Sequence, residues 1–384
     1  MPLYEAGRAE RAAWLHLALT AGLGPVGIRE LLGVFGLPED VLAASRHALA
    51  RAAGDRLAAA IKDTDAQRDA LIEQTLAWAQ APDNHLVCLS DPDYPQQLLQ
   101  IGDPPALFYL RGSREVLARP AIAIVGSRSA SRGGCDTAKA FAESLAQAGL
   151  TVVSGLAQGI DAAAHHGALQ TPAGTVAVLG TGVDLPYPPG NRQLAEAIVT
   201  QGGALLAEVP LGTGPRAANF PRRNRLIAGL SLGVLVVEAA LRSGSLITAR
   251  QAGEFGREVF AIPGSIHSPL ARGCHLLLKQ GARLVESATD VLDELPRLPT
   301  AAPAPNRSTT ARGDPQTRSS PRQDPVLVAM GWDPVGLDTL AARLAARPGA
   351  TDQPGALAAR LLTLELDGLV EQLVDGRYQR RPPL

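Results

Sequence analysis

The chain has 384 residues, 46% of them hydrophobic, a formal charge of −1 and a mean hydropathy near zero. That length allows two or three domains with a sizeable core, and the neutral balance excludes a general polycation, so any nucleic-acid site must be a local patch. No run reaches the roughly 18 apolar residues of a membrane helix, and no basic segment leads into an apolar one. Cys88, Cys135 and Cys274 lie far apart without metal spacing, which reads as reduced thiols of a cytoplasmic protein.

Residues 8–80 repeat apolar positions at three and four, with frequent alanine, and predict helices. The first 85 residues are therefore expected to form a small all-α domain. Within it, Gly24-Pro25-Val26-Gly27 sits between helical stretches. A Gly-x-x-Gly hairpin can offer backbone N–H groups to a DNA phosphate. Arg29 is the single nearby cation, so a tight turn is the favoured reading.

From about 86 to 297, short apolar runs alternate with helical segments. Strands are expected at Ala121–Val125, Leu150–Ser154, Thr175–Leu179, Ala204–Ala207, Leu232–Val237 and Glu258–Ile262. They lack strict alternation, as strands of a parallel sheet covered on both faces do. The pattern is a doubly wound α/β sheet, whose ligands bind beyond the carboxyl ends of the strands. Residues 298–324 are rich in Pro, Ser, Thr, Arg and Ala, lose periodicity and are expected to be a disordered linker. The last 60 residues predict helices from Leu337 and over Ala356–Leu366. A hairpin follows, turning at Asp375-Gly376, which suggests a winged helix.

The chemistry concentrates at the strand ends. The first loop is Val125-Gly126-Ser127-Arg128-Ser129-Ala130-Ser131-Arg132, in which glycine permits close approach and Arg128 and Arg132 carry charge. It is not the G-x-G-x-x-G fingerprint of a dinucleotide site. The second runs from Ser154 and Gly155 to Asp161, which is expected to cap a helix. His165 and His166 are adjacent, so they diverge around a helix and cannot share a metal. The third holds Tyr187, able to stack on a base or fill a loop core, and Asn191, an expected N-cap.

The most informative stretch is Asn219-Phe220-Pro221-Arg222-Arg223-Asn224-Arg225. Three arginines open a helix whose dipole opposes them, and arginine suits phosphate. An arriving anion is the simplest account. From Leu211 to Arg250 there are six arginines and one acid, Glu238. Pairing with Glu208 and Glu238 would absorb part of this charge, and surplus is expected to remain. No Walker loop, G-x-S-x-G elbow, H-E-x-x-H or Cys/His cluster occurs, so neither a catalytic set nor a metal or cofactor site is expected.

Ile124-Val125-Gly126-Ser127-Arg128, Ser154-Gly155-Leu156-Ala157 with Gly159-Ile160-Asp161, Tyr187-Pro188 with Asn191, Phe220 to Arg225, and Ser243-Gly244-Ser245-Leu246-Ile247-Thr248 together resemble the DprA (DNA-processing, Smf) family. The resemblance covers about 86–290 and implies an extended Rossmann-like domain between an all-α N-terminal domain similar to SAM or helix-hairpin-helix modules and a C-terminal winged helix. It implies a cytoplasmic, non-enzymatic, homodimeric protein of natural transformation. Such a protein binds incoming single-stranded DNA, protects it and loads the RecA recombinase. The nucleic-acid-binding residues it implies, together with the loop reading above, are Gly126, Ser127, Arg128, Arg132, Gly155, Arg222, Arg223, Asn224 and Arg225. The alternative is a nucleotide-processing enzyme similar to the lysine-decarboxylase-like phosphoribohydrolases, whose P-G-G-x-G-T-x-x-E signature this chain lacks.

Overall fold

The computed structural model describes residues 3–296, 324–330, 334–345, 354–373 and 375–381. The chain divides into two compact units at 299/300. Of the expected linker, residues 298–323 lie outside the described residues.

The first unit opens with six helices: α1 (Leu3–Leu19), α2 (Pro25–Phe35), α3 (Pro38–Ala43), α4 (Arg46–Ala53), α5 (Asp55–Lys62) and α6 (Ala66–Trp78). Gly24 is the N-cap of α2 with Pro25 just inside it, so the Gly-x-x-Gly stretch starts a helix. The α/β region follows, with β1 (Asn84–Cys88), α7 (Gln96–Leu99), β2 (Leu107–Gly112), β3 (Ala121–Val125), α8 (Arg132–Gln147), β4 (Thr151–Ser154), α9 (Ile160–Ala168) and β5 (Thr175–Leu179). It continues through α10 (Arg192–Thr200), β6 (Ala204–Ala207), α11 (Asn219–Leu230), β7 (Gly233–Val236), α12 (Ser245–Glu254), β8 (Glu258–Ala261), α13 (Arg272–Lys279), β9 (Arg283–Leu284) and α14 (Ala288–Glu294).

The nine strands form one sheet in the order β1-β2-β6-β5-β4-β3-β7-β8-β9. Only β1–β2 and β2–β6 are antiparallel. The six expected strands are all present. Three more, β1, β2 and β9, extend the sheet at its edges. The chain winds outward from β3 through β4, β5 and β6, then returns to place β7 on the other side of β3, so the direction of winding reverses at β3. Crevices that hold ligands open at such a reversal.

Burial on both faces explains the unbroken apolar runs of β3 and β5. One face packs Leu98, Leu226, Ala249 and Leu277 from α7, α11, α12 and α13 against Ala123, Val153 and Val234. The other packs Phe141, Leu145, Ala164 and Val291 from α8, α9 and α14 against Ile122, Val152 and Leu235. Toward β6 and β2 that second face receives the N-terminal helices. Trp14, Leu15, Ile28, Leu31 and Val41 share a core with Leu86, Tyr109 and Leu205. The helical segment and the sheet thus form one continuous hydrophobic body.

The second unit contains α15 (Pro325–Met330), α16 (Leu337–Ala345), α17 (Pro354–Leu366) and the hairpin β10 (Val370–Gln372) and β11 (Tyr378–Arg380). Gly376 sits in the left-handed region at φ 79°, as the Asp-Gly turn requires. Leu327, Met330, Leu340, Leu361, Leu364 and Val370 form its core. It is a winged helix.

Candidate nucleic-acid interface

A cleft of about 780 Å³ opens at the reversal point, beyond the carboxyl ends of β3, β4, β5 and β7. Val125, Ile227 and Ile247 give it an apolar floor. Ser127, Arg128, Asn224, Arg242, Ser243 and Ser245 supply polar groups around it.

The first wall is the loop from β3 to α8. Gly126 is obligatory there, because a Cβ would stand 2.6 Å from Ile160 Cγ1 and 2.8 Å from the Glu238 carbonyl. Ser127 N–H donates to that carbonyl at 2.7 Å. Pinned in this way, the loop projects Arg128 into solvent, with its guanidinium 5.7 Å above the centre of the Phe220 ring. Phe220 in turn meets Tyr187 at 5.8 Å between ring centres, tilted by 54°. Tyr187 is 41% exposed. Two aromatic faces and a cation therefore converge at the mouth.

The opposite wall is the start of α12. Gly244 is its N-cap and makes no side-chain capping bond. Ser243 and Ser245 share a 2.7 Å hydroxyl contact beside it. Among the described residues Arg128, Arg216, Arg242 and Arg250 are exposed and form no ion pair. Surplus positive charge remains, as the sequence predicts.

The three arginines of this segment do not all face the cleft as expected. Arg225 turns away from the cleft and is 4% exposed. It pairs with Glu208 and with Asp103, the latter at 3.2 Å, and donates to the Asp103 carbonyl at 2.7 Å. Arg222 is exposed outside the cleft lining and lies 3.5 Å from Glu208. Arg223 is buried and lines the cleft from below. Its Nη1 donates to the Gly155 carbonyl at 2.7 Å and to that of Val178. Burial lowers its pKa to about 10, with Arg128 adding and Asp161 opposing. Gly155 is itself buried beneath that guanidinium, and a Cβ would come within 2.7 Å of Arg223 Nη2. Arg223 Nη1 therefore ties the segment after β4 to β5, while its Nε is left buried without a partner at the base of the cleft. Arg132 is the first residue of α8, exposed and outside the cleft lining. Gly126, Ser127, Arg128, Arg223 and Asn224 do lie on the cleft.

Other expectations shift too. Asp161 lies inside α9 rather than at its cap, and accepts from Gly155 N–H (3.1 Å) and Ala157 N–H (3.4 Å). Burial raises its pKa, against the pull of Arg223. Asn191 occupies the N-cap position of α10 as expected, but its side chain donates to the carbonyls of Leu156 and Ala157 and makes no capping bond. Glu238 pairs with no arginine; its carboxylate accepts from Ser131 N–H and Oγ–H at 2.9 and 2.6 Å. Arg242, Ser243, Ser245 and Thr248 belong to the cleft but escape a reading that seeks clustered charge. Their signal was a small-residue run, Ser243-Gly244-Ser245, at the end of a buried strand. No group of three potential metal ligands and no helix able to cross a membrane occurs among the described residues.

Residues 85–296 match the family described as DNA recombination-mediator protein A, and residues 300–376 match the DprA winged helix domain. Protein Smf of Synechocystis is 37% identical over 97% of this chain and 99% of its own length. Protein Smf of Escherichia coli is 49% identical over 58% of this chain and 60% of its own length. The X-ray structure of DNA processing protein A from Streptococcus pneumoniae superposes with a TM-score of 0.62 at 36% identity, covering 77% of this chain and 99% of that one. A cleft at the sheet reversal, a C-terminal winged helix and these matches across both units lead to one assignment: the chain belongs to the DNA recombination-mediator protein A (DprA/Smf) family.

Proposed function

We propose that this chain is a non-enzymatic, cytoplasmic, homodimeric protein that binds single-stranded DNA in the cleft, protects it and loads RecA recombinase onto it during natural transformation. The observation that carries the DNA reading is the uncompensated charge of Arg128 and Arg242 beside the Phe220–Tyr187 pair. Guanidinium groups take phosphates of any sequence. Aromatic faces take unpaired bases, whose π-surfaces a duplex keeps stacked. The combination favours single strands and gives little sequence preference.

Against the enzyme alternative, Glu238 is engaged with Ser131 and lies outside the cleft lining, and Asp161, the carboxylate that does line it, is held by the N–H groups of Gly155 and Ala157. Binding titrations of single- and double-stranded oligonucleotides over a salt series test the proposal. Single strands should bind more tightly, with a slope that reports several phosphate contacts. Equal affinity for both, or release of base from nucleoside monophosphates, would overturn it. RecA capture by the DNA-bound protein tests the partner, and sedimentation tests the dimer.

A further inference from the structure

In α/β folds that bind nucleotides, the helix following the first central strand receives a phosphate at its N-terminus. Here that helix is α8, and its N-terminus is already occupied. The Glu238 carboxylate accepts the Ser131 N–H at 2.9 Å and the Ser131 hydroxyl at 2.6 Å, while Ser131 Oγ accepts the Gly134 N–H at 2.9 Å. A Cβ on Gly134 would stand 2.6–2.7 Å from both carboxylate oxygens, so a glycine makes room for this side chain. The Glu238 backbone carbonyl meanwhile holds Ser127 N–H at 2.7 Å. One residue at the end of β7 thus grips both ends of the loop 127–131 that carries Arg128.

We propose that Glu238 is a positioning residue: an internal anion that occupies the N-terminus of α8 and fixes the Gly126–Ser131 loop, so that Arg128 is presented to DNA at the cleft mouth. The inference rests on the single-stranded DNA reading above. Its sign is unusual. A carboxylate near a polyanion site opposes binding by simple charge, so removing it should tighten DNA binding if it did nothing else. Positioning predicts the reverse, since a partly buried, charge-assisted pair of hydrogen bonds orders the loop.

The test measures anisotropy of a labelled oligothymidylate between about 50 and 200 mM salt, with the full-length chain. Glu238→Ala should bind about tenfold more weakly at every salt concentration, the scale of one lost hydrogen bond to a charged group. Its log–log salt slope should stay unchanged, because no phosphate contact is deleted. Arg128→Ala should instead flatten that slope. Glu238→Gln keeps an acceptor for Ser131 N–H and should stay within about threefold of the unaltered chain. Hydrogen exchange at Ser127 and Ser131 should quicken in Glu238→Ala.

Tighter or unchanged binding by a folded Glu238→Ala overturns the proposal. If that variant does not fold, Ser131→Ala decides: it keeps the carboxylate and deletes the hydroxyl bond, and unaltered affinity there also overturns it. If the unaltered chain fails to bind the oligonucleotide, the function reading itself falls, and this proposal with it.

Discussion

At the scale of single residues, arginines that look equivalent in sequence have opposite tasks. Arg128 is exposed and unpaired, so Arg128→Ala should cost stability within about 0.5 kcal/mol. Each lost phosphate contact should flatten the salt slope for single strands by about 0.7. Arg225 is buried against Glu208 and Asp103. Arg225→Ala leaves Glu208 with only the more distant Arg222, and should destabilise the protein by about 3 kcal/mol, because breaking a buried pair strands a charge. Urea unfolding and DNA titration on both variants should show the two effects separately. His165 gives a third case. Thr175 donates its hydroxyl proton to the Val152 carbonyl, so His165 Nδ1–H must donate to Thr175 Oγ1, at 2.7 Å. Nε2 is left buried without a partner. Burial first, then His166 and Arg223, lowers the pKa from 6.5 to about 3. The folded state therefore holds this ring neutral. Its contribution is complete above pH 6.5 and is lost as pH falls toward 3. At pH 5 the loss should reach about 2 kcal/mol relative to pH 7. His165→Leu should lack this step when unfolding is measured at both pH values.

At the scale of elements, close approach decides where glycine is compulsory. Gly167 of α9 faces α8, and a Cβ there would overlap the Lys139 carbonyl oxygen. Alanine would gain about 1 kcal/mol of helix propensity. The obstacle is backbone in a packed helix pair, so it cannot swing aside. Overpacking should win, and Gly167→Ala should destabilise by about 2 kcal/mol, lowering the melting temperature by several degrees. A melting temperature at or above that of the unaltered chain would show that the helices can separate cheaply. Elements of this kind differ in how far the sequence discloses them. The central parallel strands stand out because burial on both faces makes them unbroken apolar runs flanked by helices, and Ala121–Val125 and Thr175–Leu179 are read to the residue. The edge strands β1 and β2 lack that signature, since a proline-rich turn and the single short helix α7 join them as an antiparallel pair. The cleft is legible in outline: Gly126, Ser127, Arg128, Arg223 and Asn224 reach it. The arginine cluster misleads because charge in sequence does not specify direction. Successive helical residues diverge by about 100°, so Arg223 points into the sheet while Arg222 and Arg225, three apart, share Glu208.

At the scale of the whole molecule, the proposed DNA binding has to draw on particular parts. Net charge is −1, so affinity has to come from local placement of cations. In the first unit, Arg128 and Arg242 are left without an ion pair at the cleft, and Arg216 and Arg250 nearby. The winged helix is different. Arg360 is paired with Asp324, Arg377 with Asp375 at 2.6 Å, and Arg381 lies 3.9 Å from Glu371. Each of these pairs lowers the positive field that a phosphate backbone would meet. The hydrophobic body of the first unit is complete without this module, since its three core clusters draw only on residues up to Leu295. Removing 325–384 should therefore leave the first unit folded, with single-strand affinity within about threefold and the salt slope unchanged. Circular dichroism of the truncated chain checks the folding, and the anisotropy titration checks the binding. A loss of tenfold or more, with a flatter slope, would place phosphate contacts on the winged helix and make the cleft only part of the DNA site.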